Sequence, residues 1–197
     1  MISNVTKYMD LNNEKFRIRP RPQEDELLSS WLVRVARAHL TYTTSFTNMH
    51  FKEYKTNIIW QRDLDIWCPN KLIERISFKS GYSQNIIFNM TLRSLEGIVT
   101  DKIIGKSNTP NIRALGNYCH IKTKGGLMFC PECLKKDVVP YFRKIWRLKE
   151  HVICTKHLIK LLDRCPNCLT PLTISKSFQE KDFTFCYKCG ERIIISI

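Results

Sequence analysis

No stretch of this sequence approaches the roughly 20 consecutive apolar residues needed to cross a bilayer. The first twenty residues are polar and basic, without the apolar run and small-residue cleavage site of a secretory signal. No membrane role is expected. The expected setting is a reducing, cytoplasmic compartment, where closely spaced cysteines bind metal more readily than they form disulfides. Catalytic signatures are missing as well. None of the five histidines has a glutamate two residues later, the element a zinc deaminase needs. There is no His-Glu-x-x-His, no phosphate-binding P-loop and no Gly-x-Ser-x-Gly. The chain therefore reads as a non-enzyme. Acid is the scarcer charge: 18 Asp and Glu stand against 32 Lys and Arg, and the net charge of +14 favours nucleic acid or an acidic protein surface as partner.

Cysteine is what the sequence has in excess, and its placement is informative. Seven of the nine cysteines and one histidine form four pairs with two intervening residues: Cys130 and Cys133, Cys154 and His157, Cys165 and Cys168, Cys186 and Cys189. A two-residue gap lets a tight turn aim both side chains at one ion, and eight ligands complete two tetrahedral sites of the kind zinc prefers. Two structural Zn²⁺ are expected. Pairing by adjacency gives Cys130, Cys133, Cys154 and His157 for one site and Cys165, Cys168, Cys186 and Cys189 for the other. His151 is an alternative fourth ligand for the first, and cross-braced pairing is open because only seven residues separate His157 from Cys165. Four protein ligands leave no position for a reactive water, so both sites stabilise structure. Cys68, beside Trp67, reads as a small buried hydrophobe, and Cys119-His120 as a possible stray ligand pair.

The fold class expected is α+β: a helical domain resembling a helix-turn-helix, then a tandem zinc-ribbon module with short β-hairpins. Residues 1–20 read as a flexible basic leader, 21–118 as the helical domain with a linker at about 97–118, and 119–197 as the zinc domain. Pro22 with Glu24, Asp25 and Glu26 suits a helix start. Leu28, Trp31, Leu32, Val35 and His39 then recur at helical steps, with Arg34 and Arg37 opposite, which predicts an amphipathic helix of about sixteen residues. Thr41 to Thr47 predicts a turn and a second short helix. From Pro69, Leu72, Ile73 and Ile76 predict a helix ending at Gly81, and Ser83 caps another carrying Ile86, Ile87 and Met90. That pair has the helix-turn-helix outline, which an ordinary helical hairpin also produces. Phe183 to Phe185 and Ile193 to Ile197 predict strands. Tyr141, Phe142, Ile145 and Trp146 predict a packed base between the ligand pairs.

Specific residues then point to a family. Phe129-Cys-Pro-Glu-Cys133, Pro140-Tyr-Phe-Arg143, Trp146, Cys154-x-x-His157, Leu161-Leu162 and Arg164-Cys-Pro-Asn-Cys168 resemble TniQ-family proteins. So do Arg21-Pro-Gln-Glu24, Leu28-Ser-Ser-Trp31-Leu-Val-Arg34 and the stretch from Gly81 to Leu92. The resemblance covers about residues 18–190. It implies a target-selection adaptor of DNA transposition, similar to the compact TniQ proteins of CRISPR-associated transposons. The implied partners are a TnsC-type AAA+ ATPase, a CRISPR effector with its guide RNA, and target DNA, on the bacterial nucleoid. The alternative is a stand-alone DNA-binding regulator. Residues 135–160 hold eight basic and two acidic residues, which makes Arg143, Lys144, Arg147 and Lys149 the candidate contact patch, with Arg17, Arg19 and Arg21 a second.

Overall fold

The computed structural model of the chain is described for residues 15–54, 56–103, 109–115 and 125–194. The described residues are rich in helix: α1 (Leu28–Ala38), α2 (Thr43–His50), α3 (Thr56–Gln61), α4 (Leu64–Trp67), α5 (Asn70–Ser80), α6 (Gln84–Asn89) and α7 (Pro131–Lys136). Among the described residues, short 3₁₀ turns lie at Leu92–Leu95, between α6 and α7, and at Lys144–Arg147 and Ile174–Lys176, after α7.

The helical half forms around α1. Phe16, Leu28, Trp31, Leu32, Val35, Phe46, Leu72, Ile76, Ile87 and Met90 make one buried cluster. The Trp31 indole N–H donates to the Pro20 carbonyl at 2.9 Å, giving its polar edge a partner inside that core. Helix α1 is shorter than the sixteen residues expected. Its start moves from Pro22 to Leu28 because Asp25 takes a left-handed conformation, φ 57°, and Glu26 bridges to Arg143. The acidic residues expected to serve as a first turn are thus engaged elsewhere. Glu26 is buried, receives Arg34 Nη1 at 2.6 Å and the Ser30 hydroxyl at 3.0 Å, and is not on a solvent face. The polar side expected for α1 is in fact a second packed face: Leu28 through Ala36 are all buried.

Helices α5 and α6 follow their sequence signals closely. Gly81 ends α5 at φ 76°, where a side chain would be strained, and the Ser83 hydroxyl accepts from Ile86 N at 3.3 Å to start α6. Ile87 and Met90 are buried, whereas Ile86 faces solvent, 41% exposed.

The C-terminal half departs from the expected hairpins. Among the described residues there is no strand longer than an isolated bridge: Phe129 with Leu162, Ile153 with Lys160, Arg164 with Pro171, and Phe185 with Arg192. The strand expected at Phe183 to Phe185 reduces to that last bridge and one bond from Ile193 N to Thr184 O, while residues 195–197 lie outside the described residues. The chain turns back at the ligand pairs beginning at Cys154, Cys165 and Cys186, before a ladder can lengthen. Gly126 shows how tightly these turns nest: a Cβ there would lie 2.1 Å from the Asp163 carbonyl oxygen and 2.2 Å from Leu172 N.

A second apolar cluster joins the halves. Leu27, Val33, Ile66 and Leu92 pack with Phe129, Phe142, Trp146, Phe183 and the ligand cysteines. Phe142 is the hub, with Phe183 at 5.0 Å, Trp146 at 6.1 Å and Phe129 at 6.5 Å, all edge-on. Backbone bonds fix the seam: Leu27 N to Phe142 O at 2.9 Å and Lys144 N to Asp25 O at 2.7 Å. The boundary placed near residue 118 lies within 116–124, outside the described residues.

Candidate metal centres

Each ligand pair is built by a turn whose amides point at sulfur. Cys130 precedes α7, Pro131 supplies a fixed φ at its first position, and Cys130 Sγ accepts from Cys133 N at 3.4 Å. Cys186 Sγ accepts from Lys188 N at 3.4 Å in the same way. These turns bring Cys130, Cys133, Cys154 and His157 into one cluster, and Cys165, Cys168, Cys186 and Cys189 into another, with the donor atoms of each cluster within 4.8 Å of one another. The clusters join neighbouring pairs, so the cross-braced alternative does not describe this fold. His157 enters the first through Nδ1, 3.4 Å from Cys133 Sγ and 3.5 Å from Cys130 Sγ. His151 is not part of it; its Nδ1 lies 3.9 Å from Glu150.

The donor set fits a tetrahedral ion. Sulfurs about 2.3 Å from a shared zinc sit about 3.8 Å apart at tetrahedral corners. Cys133 and Cys154 are 3.6 Å apart, and Cys165–Cys189 and Cys168–Cys186 are each 3.7 Å apart. A disulfide would need about 2.05 Å. Burial raises the Cys130 and Cys133 thiols and pushes Cys165 up to about 12, while hydrogen bonds lower Cys154 and bring Cys168 down to about 6; a bound cation would favour the thiolate at all of them. The first cluster is almost closed to solvent; in the second, Cys189 is exposed.

What fastens these centres to the helices was not legible in the sequence. Arg147, in the 3₁₀ turn between the first cluster's ligand pairs, is fully buried. Its guanidinium pairs with Asp63, lies 3.6 Å from Asp65 and donates to the Arg113 carbonyl at 2.9 Å. Asp65 in turn accepts from the Ser29 amide at 2.8 Å and its hydroxyl at 2.7 Å, at the start of α1. Burial, reinforced by the charge of Asp63, pushes the Asp65 carboxyl up to about 6. From the second cluster's side, Arg37 stacks on Phe183 at 4.1 Å and donates to the Phe178 carbonyl at 3.2 Å. Nothing in the spacing of Asp63, Asp65, Arg113 or Ser29 signals this network, because its partners lie 34 to 84 residues apart.

Against this geometry, the family model for TniQ matches residues 17–161. The chain belongs to the TniQ family. The matched stretch begins at Arg17, takes in the helical half and contains all four residues of the first cluster; the second cluster follows it. No curated protein matches this chain.

The family's matched stretch also contains every candidate contact residue, and they fall into two groups. Arg143 and Arg147 are withdrawn from the surface. Arg143 is 7% exposed, pairs with Asp137 at 2.7 Å and stacks over Tyr141 and Trp146 at 4.2 and 4.8 Å. Lys144 is half-buried, and its Nζ reaches the Asn89 carbonyl and, at 3.3 Å, the Ser94 hydroxyl. These three cations hold the seam because the aromatic base that packs there carries its charges inward with it. Lys149, Arg17, Arg19 and Arg21 are exposed. Cys68 is fully buried with its thiol pushed up to about 12 by burial, and Cys119-His120 lie outside the described residues.

Proposed function

We propose that this protein is a non-enzymatic target-selection adaptor of DNA transposition that links a guide-RNA effector complex to a TnsC-type AAA+ ATPase at target DNA. The observation that carries the proposal is the family match, which runs from the exposed arginines through the helices to the first metal cluster. A bridging role suits a molecule whose two halves are joined by a shared core and an internal ion-pair network, since such a body transmits position without flexing. In this reading two Zn²⁺ are structural, held by Cys130, Cys133, Cys154 and His157 and by Cys165, Cys168, Cys186 and Cys189. Of the candidate contact residues, Arg17, Arg19, Arg21 and Lys149 are exposed and can meet nucleic acid or an acidic partner. No helix among the described residues is long and apolar enough to cross a membrane.

The test is reconstitution with the ATPase and effector encoded in the same element. The purified protein is expected to bind the ATPase without DNA, and its deletion to abolish targeted insertion scored by sequencing of junctions. Insertion at the guided site in its absence would refute the assignment.

One observation favours a second reading, a DNA-binding regulator. Helix α6 exposes Gln84, Asn85 and Asn89, amides able to pair with base edges. That reading predicts sequence-selective binding that weakens steeply with salt. Titration of labelled duplexes at two salt concentrations separates the two.

A further inference from the structure

The residue following three of the four ligand pairs occupies the same left-handed backbone position, whereas Leu134, after Cys133, continues α7 and is buried. Leu158, Leu169 and Gly190 have φ of 53°, 55° and 75°. Each donates its amide to the carbonyl of the turn's first ligand, at 2.8 Å to Cys154, 2.9 Å to Cys165 and 3.0 Å to Cys186. This left-handed position suits glycine, as at Gly190, and strains a leucine. Packing does not explain the leucines either, since Leu158 is 80% exposed and Leu169 is 65% exposed. Isolated exposed leucines are ordinary. A leucine that is both strained and exposed, twice at equivalent places, has neither a backbone nor a core reason to be there.

The surroundings of Leu158 specify the occupant. The hairpin from His151 to Leu162, closed by the bridge between Ile153 and Lys160, also exposes Val152 (48%) and Ile153 (51%). It exposes Lys156 and Lys160 and contains no acidic residue. Aliphatic side chains between two cations match an apolar recess rimmed by carboxylates; phosphate alone would leave the aliphatic surface without a partner.

We propose that Leu158 and Leu169 are docking pegs for a protein partner whose surface offers an apolar recess with an acidic rim. The inference rests on the adaptor reading and assigns it a contact surface. It separates binding from folding, because glycine at these positions relieves backbone strain and removes little buried surface.

The experiment measures binding of the full-length wild type, Leu158→Gly, Leu169→Gly and the double variant to the ATPase and to the effector complex of the same element. Zinc content and melting temperature are recorded for each. The expected result is two zincs per chain, an unchanged or higher melting temperature, and at least a tenfold loss of affinity for one of the two proteins. Leu158→Met retains binding, and Lys156→Glu with Lys160→Glu weakens it. Leu40→Gly is the control, since Leu40 is also left-handed (φ 52°) and 77% exposed but ends α1 in the helical half. Wild-type affinity in the double variant, an equal loss in Leu40→Gly, or a loss confined to DNA binding overturns the proposal. A wild-type chain that binds neither protein fails differently, taking the adaptor reading with it.

Discussion

The helical half and the metal half solve the same problem by different means. Around Trp31, helices α1, α2, α5 and α6 bury enough aliphatic and aromatic surface to form a core of ordinary kind. Among the described residues beyond Gly125 there is no strand ladder to cross-link the chain, and the apolar residues gather around two Cys/His clusters. A region of that size cannot offset its conformational entropy by burial alone, and its two clusters offer metal coordination in place of core. The contrast teaches where each half is vulnerable. It also shows that they are not independent, since Leu27, Val33, Ile66 and Leu92 of the helical half complete the metal half's cluster.

Metal removal should break the contrast most severely. A structural zinc contributes about 10–16 kcal/mol in small metal-folded modules. Chelation, or Cys133→Ser, is therefore expected to erase amide-exchange protection across 127–194 while α5 and α6 stay protected. Helix α1, which belongs to both clusters, should show intermediate protection. Uniform loss along the chain would mean that the helical half has no core of its own.

Cutting the internal ion pair comes next. Arg147→Met leaves Asp63 and Asp65 without their cation and is expected to destabilise the protein by about 3–5 kcal/mol with both metals retained. Denaturant midpoints and elemental analysis read the two quantities separately. Adding Asp63→Asn and Asp65→Asn should recover much of the loss, because the penalty belongs to unpaired buried charge.

A smaller change confined to the helical core sharpens the contrast from the other side. Ile76 is fully buried there, and Ile76→Val should cost about 0.5–1.5 kcal/mol without altering metal affinity in a chelator competition.

The smallest expected effect is a pH dependence belonging to the helical half alone. Burial, with the charges of Lys79 and His39, lowers His50 from 6.5 to about 4, so the folded state holds it neutral. Between those values the unfolded chain binds the extra proton. The His50 contribution is therefore complete above about 6.5 and is lost as pH falls towards 4. His50→Gln should flatten the dependence of melting temperature on pH between 5 and 6.5, inside the window set by the His50 shift. An unchanged slope would place the acid sensitivity elsewhere.

Much of the helical half could be read from local signals, because caps and periodicity act over a few residues. Gly81, Ser83 and the apolar steps of α5 behave as their chemistry requires. The start of α1 was misplaced because Glu26 is claimed by Arg34 and by the strand-like contact with Arg143, a partner 117 residues away. Arg143 and Arg147, expected in an exposed patch, are buried for the same reason. A run of cations looks solvated in sequence, whereas here an aromatic base and three aspartates draw the guanidinium groups inside.

By itself the sequence determined the four close pairs that supply candidate metal ligands, since a two-residue gap fixes which atoms a single turn can converge, and it determined the helices whose caps are local. Only the tertiary structure decided that neighbouring pairs share a cluster, that α1 has two buried faces, and which arginines remain outside. Those outcomes depend on contacts between residues far apart in the chain, whose burial sets whether a charge faces water or a partner.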